Sequence, residues 1–326
     1  MAESKKQPAA KKSEALTAGA VDQSGTWKPT PESKKQATTL RIWTVVLWVL
    51  GIAAEAVAIF WVLGRNSPFN EAPSYTTNPD GTLAVSSGGF STTGVVVLIA
   101  FLVVDAILVI IANQLWKKAN HLDPASKSNA VRFFVQNQLG AIVAVIAFLP
   151  VIILIFTNKN MSSGQKALAG IIGIVVAGAA VWSGVDVHPA STEQYSADST
   201  AVIQILGQDK AYWGPSSTVY HVCDQVSDLQ GSNVQSGTTA EAVAALASNT
   251  TTPRLTLKLE SELKACGKPV PTNIDDIVAA LKNIQGGQTN TVLPAPTWSD
   301  PSQAPDLSQI LGGQADDAEV PAPATT

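Results

Sequence analysis

Two acidic residues stand inside long apolar runs: Glu55 within 42–63 and Asp105 within 94–115. A charged carboxylate near the centre of a bilayer costs about 2.5–3.5 kcal/mol on insertion scales, so such residues usually face other helices and carry a role. Glu55 is eight residues from the end of its run and Asp105 eleven from the start of its own. At 1.5 Å per residue these offsets are about 12 Å and 17 Å. Two helices joined by the intervening loop would bring the side chains within about one helical turn of each other. Low dielectric and a like neighbouring charge both favour the neutral acid, so at least one bound proton is expected at neutral pH. The simpler expectation is an interhelical hydrogen bond through a protonated carboxyl. The functional one is a proton-binding or proton-relay site. No basic residue lies mid-run to complete an ion pair, and Gln136, Asn137 and Gln138 offer polar contacts near one face.

A second group is His221, Cys223 and Cys266. Zinc takes three or four Cys, His or carboxylate ligands in a tetrahedral array. One His-x-Cys and a remote Cys supply three at best, without paired Cys-x-x-Cys spacing, so these are weak metal candidates and no cofactor is expected. A Cys223–Cys266 disulfide requires an oxidising compartment. Buried free thiols are the leading expectation in a reducing one. His121 and His188, each at a border of an apolar block, read as polar surface residues.

The elements around these residues define the class. Charged residues are only 14% of the 326 and mean hydropathy is +0.18. The apolar residues gather in blocks at 42–63, 94–115, 133–156 and 167–187. Each approaches the ~20 residues that cross a bilayer as a helix, and Trp43, Trp61, Trp116 and Trp182 sit near block ends, where indoles prefer the headgroup level. The fold expected is an α-helical polytopic membrane protein: a four-helix domain over 41–187, a small α+β domain over 188–285, and disordered tails over 1–40 and 286–326. Pro150 should kink the third span. Gly170, Gly173, Ala177 and Gly178 should allow close helix approach in the fourth.

The first 41 residues hold eight of the 21 Lys and Arg, and the second loop adds Lys117, Lys118, Lys127 and Arg132. The first loop has Arg65 and the third has Lys159 and Lys166. Cations accumulate on the cytoplasmic side, which places the N-terminus inside the cell membrane and, after four spans, the C-terminal domain inside as well. The first apolar run begins near residue 42, so no signal peptide is read at the N-terminus. The second loop reads as solvated, with Lys117 and Lys118 favourable near a helix C-terminus and anionic headgroups. After Val187 there are six Lys and Arg against fifteen Asp and Glu. With no global basic patch, nucleic acid is not an expected partner; the lipid bilayer and other membrane proteins are.

In the C-terminal region, 201–206 suits a strand or short helix and 218–223 a strand. Thr239 and Asn273 read as helix N-caps, with Gly286 near a stop. The first loop carries the turn Asn78-Pro79-Asp80-Gly81, consistent with a small hairpin. There is no nucleophile elbow, phosphate-binding loop or dinucleotide fingerprint, so no enzyme is expected.

The segments Leu115-Trp116-Lys117-Lys118-Ala119-Asn120-His121-Leu122-Asp123-Pro124, Arg132-Phe133-Phe134-Val135-Gln136-Asn137-Gln138, Val219-Tyr220-His221-Val222-Cys223 and Cys266-Gly267 resemble those of a family of uncharacterised actinobacterial membrane proteins with four spans and a C-terminal soluble domain. The resemblance covers roughly residues 40–270. It implies architecture and a high-GC Gram-positive source, and no activity. The function expected is a non-enzymatic accessory or assembly subunit of a larger envelope or respiratory complex. Two alternatives stand beside it: a proton- or solute-conducting protein using Glu55 and Asp105, and a thiol or metal sensor in the C-terminal domain.

Overall fold

The computed structural model describes residues 27–307 except 87, 188, 232, 251 and 289. The outer parts of both expected disordered tails, and His188, lie outside the described residues. Among the described residues, four helices are long and apolar enough to cross a membrane. They are α1 (Pro31–Val57, continued by a π-helical turn Ala58–Val62), α2 (Thr92–Leu122), α3 (Ala130–Thr157) and α4 (Ser163–Gly184). The chain divides into two compact units, one of Lys35–Asn120 with Val131–Val187, the other of Met1–Lys34, His121–Ala130 and His188–Thr326.

In the first unit, helical repeats of buried positions set the contacts. Along α1 the buried stripe is Thr44, Trp48, Gly51, Glu55, Ala58 and Val62, spacings of three, four and seven that keep one face inward. Apolar packing is continuous where α1 ends and α2 begins, through Val62, Val95, Leu98, Leu102, Phe148, Val151 and Ile155. Helix α3 runs on through Pro150. Small residues bring backbones together. A Cβ on Gly184 would clash with the Ala141 nitrogen, and one on Gly170 with the Phe156 ring, whereas Gly178 faces open space. Between α1 and α2, strands β1 (Asn70–Glu71) and β4 (Gly89–Phe90) pair, and β2 (Ser74–Thr77) pairs with β3 (Leu83–Ser86) around the expected Asn78–Gly81 turn. Gly81 takes φ +83° there, a left-handed conformation that favours glycine.

The second unit is built on α5 (Thr192–Leu206), α6 (Thr239–Leu246), α7 (Leu259–Ala265) and α8 (Ile274–Gln285). Strand β5 (Ala211–Trp213) pairs antiparallel with β7 (Gln235–Gly237), and β6 (Val219–Tyr220) pairs parallel with β8 (Arg254–Leu255). Tyr212 and His221 bridge the two pairs. Tyr195, Tyr220, Leu246, Leu255, Leu259 and Leu281 lie in its core.

Several expectations are corrected. Of the strand or short helix read at 201–206, the helix is found, as the end of α5, which Ser191 caps at Gln194 and Gly207 closes with φ +77°. The strand expected over 218–223 is confined to Val219–Tyr220. The cap at the next helix is Thr238, with Glu241 completing a capping box. Asn273 precedes α8 but gives no side-chain cap bond to it; its amide bonds the 295–297 segment instead. Residues 31–40, read as tail, are helical, since Thr30 accepts from the Ser33 amide and Pro31 opens the first turn. The loop 121–130 is not a solvated connection: His121, Leu122 and Ala125 are buried. Glu193 at the start of α5 accepts from Ser126 Oγ and the Lys127 amide, and Tyr195 donates its hydroxyl to the His121 carbonyl. The ring of Trp27 lies 4.8 Å from that of Tyr195, tilted by 49°.

Candidate functional site

Glu55 and Asp105 are brought together. Gly51 and Glu55 are one turn apart on the buried stripe of α1, and a Cβ on Gly51 would lie 2.6 Å from Asp105 Oδ1. The glycine thus makes the room that the α2 carboxyl occupies. The two acids are close enough to interact electrostatically, and the Val151 backbone of α3 also faces Glu55. Glu55 is 7% exposed and Asp105 2%. Glu55 Oε1, Asp105 Oδ1 and Asp105 Oδ2 have no hydrogen-bond partner among the described residues. Among the described residues no hydrogen bond joins the Glu55 carboxyl to that of Asp105. Unpartnered buried polar atoms in a native fold call for a bound proton, water or ion.

The surroundings are unequal at the two ends of the helices. Toward the start of α1 lies a run of polar contacts. Trp48 Nε1 donates to Asn113 Oδ1 at 3.2 Å, and Asn113 Nδ2 donates to the Ala180 carbonyl and Ser183 Oγ, each at 3.0 Å. Thr44 Oγ1 reaches the Ala112 carbonyl, and Trp116 Nε1 and Asn120 Nδ2 both bond the Gln136 carbonyl. Gln136 and Asn137 are buried, and the oxygen that accepts these two bonds is the Gln136 backbone carbonyl. Toward the hairpin the packing is apolar. Asn113 is the residue that sequence reading missed; an amide inside the 94–115 run was its signal.

The cysteine group is resolved differently. Cys223 and Cys266 are joined by a disulfide, with Cα atoms 5.9 Å apart. This replaces the expected free thiols. It also excludes the metal set: bonded sulfurs are not thiolate ligands, although Cys223, Asp224 and Cys266 place donor atoms within 4.8 Å. His221 turns Nδ1 to Glu262 Oε1 at 2.8 Å, and the other Glu262 oxygen accepts from the Val222 amide. His221 thus anchors α7 to β6 rather than joining the sulfurs. His121 is 1% exposed, a correction to its surface reading.

Asp198, like Glu262, is a buried acid of this unit. Its carboxylate accepts from Tyr220 Oη, the Leu255 amide and Gln285 Nε2, each at 3.0 Å. Burial pushes its pKa up to about 6 against those donors. Burial also raises Glu193, but bonds from Ser126 and the Lys127 amide outweigh it and hold that carboxyl below its usual range.

No family model, curated protein or solved structure matches the chain.

Proposed function

We propose that this chain is a non-enzymatic multi-pass protein of an actinobacterial cell membrane, serving as an accessory subunit of a larger envelope or respiratory complex, with Glu55 and Asp105 as a site for an exchangeable proton. The observation that carries this reading is the set of three buried carboxylate oxygens without a partner among the described residues. A proton bound there neutralises a like-charge pair in low dielectric. Polar contacts of Thr44, Trp48 and Asn113 lie toward one end of the pair, and Leu98, Phe148 and Ile155 pack toward the other. In this reading the proton exchanges from the polar end and its binding acts on a neighbouring subunit.

Segments 27–34, 121–130 and the C-terminal chain share one unit, which fits an even number of crossings. The Lys and Arg bias favours the cytoplasmic face for all of them. The Cys223–Cys266 disulfide pulls the other way, toward an oxidising compartment. The charge count supports the cytoplasmic placement: twelve of the cations flanking the spans lie in the N-terminal 41 residues and second loop, against three in the other loops.

Proteoliposomes and native-size separation test the role together. The purified protein is expected to give no transmembrane proton flux, and gently extracted protein to migrate in an assembly larger than its monomer. Flux that disappears in Glu55→Gln/Asp105→Asn would establish conduction instead. Migration as a lone monomer would remove the accessory role.

A further inference from the structure

His221 has a second ring nitrogen to account for. Glu262 Oε2 accepts from the Val222 amide, and Oε1 lies 2.8 Å from His221 Nδ1. The carboxylate is thus the acceptor and Nδ1 the donor, which leaves the lone pair of a neutral ring on Nε2. Among the described residues no hydrogen bond reaches Nε2. The residue is 1% exposed, yet it lines an open hollow of about 420 Å³, within the roughly 300–1,000 Å³ of small-molecule sites. We propose that this hollow binds a neutral saccharide, with His221 Nε2 accepting from one of its hydroxyls.

The rest of the wall fits that chemistry. Ser216, Ser217 and Thr218 bring hydroxyls, Asn233 an amide and Asp228 a carboxylate, a dense mix of donors and acceptors. Pro215 and Val219 add apolar surface against which the C–H face of a sugar ring can lie. Among the described residues no Lys or Arg lines the hollow, so an anion meets no cation in its wall. The Asp228 carboxylate is already paired with Lys258 Nζ at 3.1 Å, so a cation gains little there. The 214–217 turn is held before any ligand arrives. The Ser217 amide donates to the Gly214 carbonyl, the Gly214 amide to Ser217 Oγ, and Asn249 Nδ2 to the Pro215 and Ser217 carbonyls. Such preorganisation lowers the entropic cost of binding. The proposal goes beyond the accessory role and depends neither on the acid pair nor on which side of a membrane the unit faces.

Saturation-transfer NMR of the full chain in nanodiscs, prepared without glycoside detergent, tests it. The probes are methyl glucoside, methyl galactoside and methyl mannoside at millimolar concentration, each beside its uronate. At least one glycoside should give saturable transfer, and its uronate much less. Thr218 and Asn233 are exposed, and Thr218→Val/Asn233→Ala should weaken binding about tenfold, as expected for lost hydrogen bonds. His221→Gln should abolish it, whereas Lys264→Gln, outside the hollow, should leave it unchanged. Should His221→Gln fail to fold, the exposed pair still decides. No saturable transfer from any of the glycosides, or unchanged transfer in Thr218→Val/Asn233→Ala, would overturn the site. Equal binding of the uronate would overturn its preference for a neutral ligand.

Discussion

Asp198 and Asp105 are both buried, at 0% and 2% exposure, yet the two units serve them differently. Asp198 receives three donors from β6, β8 and α8, so its burial ties separate segments into one core. Asp105 receives none among the described residues and lies against a glycine in the bundle. A satisfied buried acid is architecture, whose loss leaves donors stranded. An unsatisfied one leaves no donor stranded when it is replaced. The difference separates a carboxylate whose bonds hold segments together from one that makes none among the described residues.

The largest expected effect breaks the structural half of that contrast. Asp198→Ala strands Tyr220 Oη and the Leu255 amide in the core and should destabilise the C-terminal unit by roughly 3–4 kcal/mol in urea unfolding. Asp105→Asn should leave stability within about 1 kcal/mol; a loss as large as that of Asp198→Ala would erase the distinction.

Protons sharpen the contrast next. The pKa of Asp198 lies near 6 in the fold against an ordinary 3.8, so between these values the native state holds more protons than the unfolded one. Stability of the unit should fall as pH rises through that window, by roughly 2–3 kcal/mol in all, and level off above it. Unfolding curves at pH 4, 5, 6 and 7 read this directly, and Asp198→Asn should flatten the slope.

A smaller effect probes the bundle. Gly51→Ala puts a methyl group against Asp105 Oδ1 and should cost about 1–3 kcal/mol in thermal stability. Combining it with Asp105→Ala should recover most of that loss, and additive effects would mean the two residues do not share the space. The smallest is Thr238→Ala, which removes one half of the α6 capping box for about 1 kcal/mol.

The bundle was legible in the sequence because length and apolarity alone specify a spanning helix, and Glu55 and Asp105 announce themselves as charges inside such runs. Their extents were underestimated at polar ends. The Thr30-Pro31-Glu32 helix start and the turn from Lys117 to Leu122 carry hydrophilic residues that a hydropathy reading discards. The second unit was far less legible. Its core joins Trp27, the 121–130 loop and a C-terminal chain, and nothing local in Trp27 or His121 signals a contact with a helix beginning at Thr192. Asp198 sits in a helix rich in small polar residues, where one more acid carries no signature. The cysteines were visible, but the choice between thiol, metal and disulfide depended on which loops meet.

The central claim is that the Glu55–Asp105 pair holds a proton inside the membrane domain. Infrared spectroscopy of the protein reconstituted in lipid near pH 7.5, before and after exchange into D₂O, measures this most directly. A protonated-carboxyl carbonyl band that shifts on exchange and is missing from Glu55→Gln/Asp105→Asn is the predicted result. Wild-type and variant spectra that superimpose in that region would contradict it.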